Sequence, residues 1–201
     1  MKKKIVVLAS GNGTNFVSLR EYIRKKKLKA EIVSLISDNP AANALLLAHS
    51  FGIEPISFSF PKEEREAYNQ ALDQKIAEYS PDLIVAAGYM KILPPFLVDK
   101  YPNRIINIHP SLLPSFKGLH AIRQAMNYGV KFTGCTTHFV DNSLDGGIII
   151  MQSVVKIKED MTESDLTAAV HKEEYKILPK SVHYFLDDKI KIENRKITIQ
   201  E

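Results

Sequence analysis

The 201-residue chain predicts an α/β fold: a Rossmann-like, doubly wound, mostly parallel sheet with an antiparallel edge in the C-terminal part. Three observations predict it. Short apolar runs alternate with helix-like segments through the first half of the chain. Those runs are apolar at consecutive positions, as strands covered on both faces must be. After residue 130 the pattern changes to two adjacent strands joined by a short turn, which suits an antiparallel pair.

The elements follow in order. "KIVVLA" (4–9) is a buried strand, and "LREYIRKKK" (19–27) has helical periodicity. "AEIVSLIS" (30–37) is a strand, and "AANALLLAHSFG" (41–52) a helix stopped at Gly52. "EPISF" (54–58) is a short strand, and "KEEREAYNQALDQKIAEYS" (62–80) a long amphipathic helix. "DLIVAAG" (82–88) and "RIINIH" (104–109) are two more strands. "KFTGCTTHFV" and "GIIIMQSVVKI" form the late pair, joined by "DNSLDG". A final helix follows over "MTESDLTAAVHKEEYKILPKSVHYFLDD", opened by a capping box of Thr162 and Asp165 and kinked at Pro179. The tail "KIKIENRKITI" reads as a small hairpin around "ENR".

Composition bounds the function. The length suits a single domain, residues 1–201. A formal charge of +4 sits largely in "MKKK" and in "RKKK" at 24–27, a tail and a helix end, not a basic face with interleaved aromatics. Nucleic acid is therefore not an expected partner. The apolar run after the first lysines is too short for a membrane span or a signal-peptide core. The lone cysteine, Cys135, cannot form an internal disulfide and reads as a small buried strand residue. The expected location is the cytoplasm.

Two stretches carry chemistry. "LASGNGTNF" links the first strand to the first helix, and amides at a helix N-terminus attract anions. Gly11 and Gly13 supply G-x-G, but Phe16 stands where the dinucleotide fingerprint has its third glycine, and no P-loop lysine follows. A monophosphate fits better than a pyrophosphate; a tight turn with no ligand fits equally well. In "INIHPSLLPSFKG", Asn107 and His109 project from one face at the carboxyl end of a parallel strand, where open α/β sheets bind ligands. An amide and an imidazolium there make a donor pair suited to an oxyanion. The plainer alternative is a strand end satisfied by local backbone. Asp145 lies in the turn between the late strands, and a carboxylate beside His109 would hold its ring in one orientation and favour its charged form. Spacing does not show that the two meet. On the last helix, Leu166, Val170 and Ile177 share a face on which periodicity places Glu173, with Glu174 beside it. An inward glutamate needs a partner, either a substrate amine or amide or a neighbouring lysine.

"LASGNGTN", "AAGYMKIL", "NIHPSLLPSFKGLHA" and "THFVDNSLDGG" occur in the order found in the phosphoribosylglycinamide formyltransferase family, folate-dependent enzymes of purine synthesis. The resemblance runs over roughly residues 4–186. It implies formyl transfer from 10-formyltetrahydrofolate to the amine of glycinamide ribonucleotide, without a metal. It implies a catalytic trio of Asn107, His109 and Asp145, and a ribonucleotide site at Gly13, Thr14, Asn15 and Glu174. Folate contacts fall on Arg65, on Met90, Lys91, Ile92 and Leu93, on Asn107, and on Asp141, Asn142, Ser143, Leu144 and Asp145. Lys91 departs from an arginine often found there and removes any planar guanidinium contact. Residues 1–100 become a phosphate-binding half and 101–201 a catalytic and folate-binding half; the loop between Pro110 and His120 resembles a mobile lid. The expected partners are small molecules, and the expected assembly is a monomer or weak homodimer.

The nearest rival is a formyltetrahydrofolate hydrolase, with water in place of the amine. That group resembles the chain in its catalytic region but usually carries an N-terminal regulatory domain, which a first strand at residue 4 leaves no room for. A methionyl-tRNA formyltransferase would need a further RNA-binding domain. A nucleotide-binding oxidoreductase lacks its third glycine here, and a mere sugar-phosphate binder would leave Asn107, His109 and Asp145 idle.

Overall fold

Apolar runs too short to be helices, and apolar on both faces, become the sheet. In the computed structural model, which describes residues 1–58, 60 and 63–200, the chain divides into two compact units, Met1–Ile106 and Asn107–Glu201.

The first unit alternates strand and helix: β1 (Lys3–Leu8), α1 (Thr14–Lys26), β2 (Ala30–Ser37), α2 (Asn43–Ser50), β3 (Glu54–Ser57), α3 (Arg65–Tyr79), β4 (Leu83–Ala86) and α4 (Pro95–Lys100). β1 pairs in parallel with β2 and β4, and β2 with β3, so the order is β3-β2-β1-β4. The approach to β5 (Ile105–His109) lies beside β4, where the Ile84 N–H donates to the Arg104 carbonyl at 2.9 Å. Ile5, Val6, Val7 and Leu8 of the central strand are wholly buried. Each contributes about 1.5–3 kcal/mol by leaving water.

The second unit takes up the last residues of β5 and adds α5 (Ala121–Tyr128), β6 (Phe132–Phe139), β7 (Ile149–Lys156), α6 (Glu163–Leu186), β8 (Ile190–Glu193) and β9 (Lys196–Ile199). Its strand order is β5-β6-β7. β6 and β7 are antiparallel, with Phe132 opposite Lys156 and a register shift between Thr137 and His138. The fold is therefore a mostly parallel α/β sheet with an antiparallel edge. β8 and β9 pair separately as the expected hairpin, with Asn194 and Arg195 both left-handed at its tip (φ 47° and 63°).

Local chemistry explains the boundaries. The Thr162 side chain accepts from the Asp165 N–H while the Asp165 carboxylate accepts from the Thr162 N–H, so the capping box opens α6 as expected. The helix runs through Pro179 without a break. α1 starts at Thr14, five residues before the periodicity suggested, because Gly13 in the left-handed region turns the chain straight into it. The helix over 41–52 shrinks to Asn43–Ser50, and the strand over 82–88 to Leu83–Ala86. The long amphipathic helix is seen over Arg65–Tyr79; its expected first residue, Lys62, lies outside the described residues. The sequence reading had no α4 or α5. α4 has six residues and opens on the second of two prolines, too few for a period to show. α5 has one clear signal, Gly129 at its C-cap with φ 80°. Among the described residues no helix is long and apolar enough to cross a membrane.

Candidate active site

The first unit offers a site made of main chain. β1 ends at Leu8, and Gly13, at φ 76°, caps α1. A Cβ on Gly13 would stand 2.9 Å from both Cα and Cβ of Ala44, so only glycine fits on conformation and on space. The turn is pinned from outside: Ala44 N–H donates to the Gly11 carbonyl (3.0 Å) and the Asn43 amide to the Asn12 carbonyl (3.2 Å). α1 opens with no side-chain cap and no acidic residue in its first turn. A helix start of this kind favours an anion. Thr14 is exposed there and Asn15 buried.

The same strand end gathers the 88–93 segment. The Ser10 N–H donates to the Gly88 carbonyl (3.0 Å), and the Ser10 hydroxyl accepts from the Met90 N–H (2.8 Å) while donating to Asp38 (2.5 Å). Met90 and Ile92 are exposed and Leu93 half-buried. Lys91 lays its ammonium 3.7 Å from the centre of the Tyr68 ring, a cation–π contact on α3. Arg65, one turn earlier on α3, is exposed. Burial pushes the Tyr68 hydroxyl up to about 12. It also pushes up Tyr89, whose hydroxyl lies 2.5 Å from that of Tyr68.

The second unit offers a site made of side chains. His109 is buried, with Nδ1 3.3 Å from Asp145 Oδ2 and Nε2 donating to the Phe116 carbonyl at 2.8 Å. Both nitrogens thus face acceptors, an arrangement that a doubly protonated ring satisfies. Asp145 Oδ2 also accepts from the Gly118 N–H at 2.8 Å. The Asp145 backbone is left-handed, φ 43°, a conformation that costs about 1–3 kcal/mol away from glycine. Gly147 makes the turn possible, since a Cβ there would lie 1.7 Å from the Phe139 carbonyl oxygen. Earlier in the loop, Asp141 accepts from the Ser143 N–H at 2.9 Å; Asn142, Ser143 and Leu144 are exposed.

His138, to which the sequence pattern assigns no role, belongs to this cluster. Its Nε2 lies 3.1 Å from Asn107 Nδ2 and 3.9 Å from Asp145 Oδ1. Its Nδ1 donates to the Phe139 carbonyl at 3.0 Å. Burial pulls its basicity below the ordinary value and keeps the ring neutral, so Nε2 accepts from the Asn107 amide. The 3.9 Å approach to Asp145 is then not an ion pair. Its sequence signal was "THF" before the Asp145 turn.

The start of the loop after Pro110 shares one hydroxyl. Thr136 Oγ1 donates to the Ser111 carbonyl (2.7 Å) and accepts from the Leu113 N–H (3.1 Å) and the Gln152 amide (3.0 Å).

On α6 the structure corrects the periodicity. Glu174, not Glu173, is the buried glutamate, at 3% exposure on the Leu166–Val170–Leu178 stripe. It accepts from His171 Nδ1 at 2.8 Å, and that bond raises the His171 basicity. Glu173 takes the plainer option, pairing with Lys176 (2.6 Å) and accepting from the Ser153 hydroxyl (2.7 Å). Cys135 is buried and inert, its thiol pushed up to about 12 by desolvation and by the charges of Glu174 and Glu173.

With this geometry in place, comparison with known proteins decides the family. The formyl transferase family profile matches residues 3–182. The chain belongs to the formyl transferase family. It is an enzyme, and its relatives include the phosphoribosylglycinamide formyltransferase of Escherichia coli, 39% identical over 191 residues, which cover 94% of this chain and 89% of that one. The glycinamide ribonucleotide transformylase 1 of Symbiobacterium toebii superposes with a TM-score of 0.94 at 37% identity, covering 100% of this chain and 95% of the other. A formyltetrahydrofolate deformylase from Pseudomonas syringae pv. tomato superposes equally well, TM-score 0.94, at 27% identity; the match covers 100% of this chain and 67% of that one. Fold alone therefore does not separate transfer to an amine from transfer to water within this formyl transferase family.

Proposed function

We propose that this formyltransferase moves the formyl group of 10-formyltetrahydrofolate onto the glycinamide amine of glycinamide ribonucleotide, a step of purine synthesis in the cytoplasm. The observation that carries the reading is the His109–Asp145 pair, with its 3.3 Å separation, beside the Asn107 amide. The relatives at 37–39% identity named for this ribonucleotide reaction support the amine over water as acceptor.

The amine nitrogen attacks the formyl carbon, a C–N bond forms, and the carbonyl electron pair moves to oxygen. Asn107 has two amide hydrogens; one meets His138, and the other faces the oxyanion. His109 supplies the second donor through Nε2, once its hydrogen bond to the Phe116 carbonyl is broken. Asp145 orients the His109 ring through Nδ1 and takes the amine proton through a water. The oxyanion pair then re-forms the carbonyl, the C–N bond to folate breaks with its pair going to the folate nitrogen, and the proton taken from the amine passes to that nitrogen. No covalent enzyme intermediate is involved, because holding both substrates supplies proximity.

The first unit holds the ribonucleotide phosphate on the amides of Gly13, Thr14 and Asn15. Arg65, Met90, Lys91, Ile92 and Leu93 contact folate there, as do Asn107 and the 141–145 loop in the second unit. Glu174 meets the ribonucleotide. In this reading residues 1–100 bind phosphate, and residues 101–201 carry catalysis, within one formyltransferase domain.

A spectrophotometric assay with 10-formyltetrahydrofolate, run with and without glycinamide ribonucleotide, tests the reading. Folate product is expected only when the ribonucleotide is present. Equal product without it would make water the acceptor and leave the first turn to be explained otherwise.

A further inference from the structure

The terminal hairpin contributes little to the core, since no described residue of β8 or β9 is buried. Two strands alone are marginally stable in water, so what the hairpin touches matters more than what it buries. Its tip supplies one. Arg195 Nη2 donates to the Gly146 carbonyl at 2.5 Å, and Nη1 lies 3.6 Å from Asp141 Oδ2. Gly146 follows Asp145, and Asp141 begins the loop that carries it. One guanidinium therefore touches the loop on both sides of Asp145. Arg195 and Asp145 also line the same cavity of about 280 Å3.

We propose that Arg195 is a positioning residue: from the hairpin tip it braces the 141–147 loop so that Asp145 stays against His109. The inference rests on the catalytic reading of Asp145. Asp145 sits in the left-handed backbone region, φ 43°, a sparsely populated conformation outside glycine that its neighbours help to hold. Gly118 does so from one side, through its N–H. Arg195 does so from the other, through the carbonyl of the next residue. The Asp141 contact is more than one-third exposed on both partners and is the minor part. The charged donor on the Gly146 carbonyl is the major part.

Position 195 offers an unusually clean test. Its φ of 63°, next to Asn194 at 47°, is the conformation of a two-residue hairpin turn in which Asn-Gly is preferred. Arg195→Gly thus removes the guanidinium while improving the turn. The full-length enzyme and its Arg195→Gly, Arg195→Lys and Asp145→Asn variants would be assayed with both substrates, alongside melting temperature and hydrogen exchange at the 141–147 amides. For Arg195→Gly the expected results are a melting temperature at or above wild type, faster exchange in the loop, and kcat lower by about tenfold, as for a sub-ångström misplacement at a reacting group. The ribonucleotide KM should stay put, and Arg195→Lys should recover part of kcat. An Arg195→Gly enzyme with wild-type kcat, beside an inactive Asp145→Asn, overturns the brace and leaves the catalytic reading standing. A fully active Asp145→Asn overturns both.

Discussion

The first-unit turn and the second-unit cluster are built from different materials. The turn at Gly11–Asn15 is a main-chain device: its shape comes from Gly13 at φ 76° against Ala44, and the proposed anion site from an uncapped helix start. The cluster is a side-chain device: His109, Asp145, Asn107 and His138 are placed by strand ends and a strained turn, and each depends on atoms supplied by another. A backbone site tolerates side-chain change except where a side chain cannot exist. A side-chain site loses its function with one altered atom.

Breaking the cluster should give the largest effect. Asn107→Ala and Asp145→Asn are each expected to lower kcat by about 100- to 1000-fold with little change in melting temperature, because the first removes a transition-state donor and the second the charge that holds one. Steady-state kinetics with either variant at wild-type turnover would sink the side-chain account. Gly13→Ala should come next and look different. It should raise the ribonucleotide KM by about tenfold, or about 1.4 kcal/mol, with kcat less affected, and lower the melting temperature through its contact with Ala44. An Asn12→Ala enzyme makes the useful contrast, since it keeps the backbone, and its KM should barely move.

Thr136→Val tests how the cluster is held. It removes the hydroxyl shared by Ser111, Leu113 and Gln152 and should cost about 1–3 kcal/mol in denaturant unfolding. Its kcat should fall as well if the loop it anchors presents Phe116 to His109.

The smallest effect is a pH dependence of stability. His171 is raised in the folded state by its bond to Glu174, so its contribution is fully present below its ordinary value of about 6.5 and is lost as pH rises through the raised one. His138 has the opposite sign. Burial lowers it, so the unfolded chain binds its proton first and stability declines as pH falls below about 6.5. Unfolding of His171→Gln against wild type should show a gap at low pH that closes as pH rises. A gap constant with pH would mean that the Glu174 bond does not control that proton.

Short-range patterns made much of the fold legible. The Thr162–Asp165 box, the individual apolar strands and the β6–β7 pair are all decided by residues close in sequence. They were readable because caps and periodicity act over a few residues. The Glu173 reading failed for a related reason. Positions three and four residues after Val170 lie on nearly the same helix face, and the elements packed against α6, chiefly β6 and β7, decide which is inward.

The sequence by itself determined the element alternation, the antiparallel edge, the two candidate site stretches and the resemblance that names their family. Tertiary structure alone decided that Asp145 meets His109, that His138 stands neutral between Asn107 and Asp145, that Glu174 is the buried glutamate, and that Arg195 reaches the Asp145 loop from 49 residues beyond Gly146. The physical reason is range. Propensity and capping are local free energies written into neighbouring residues, whereas a side-chain cluster exists only once distant segments have been brought within a hydrogen bond of one another.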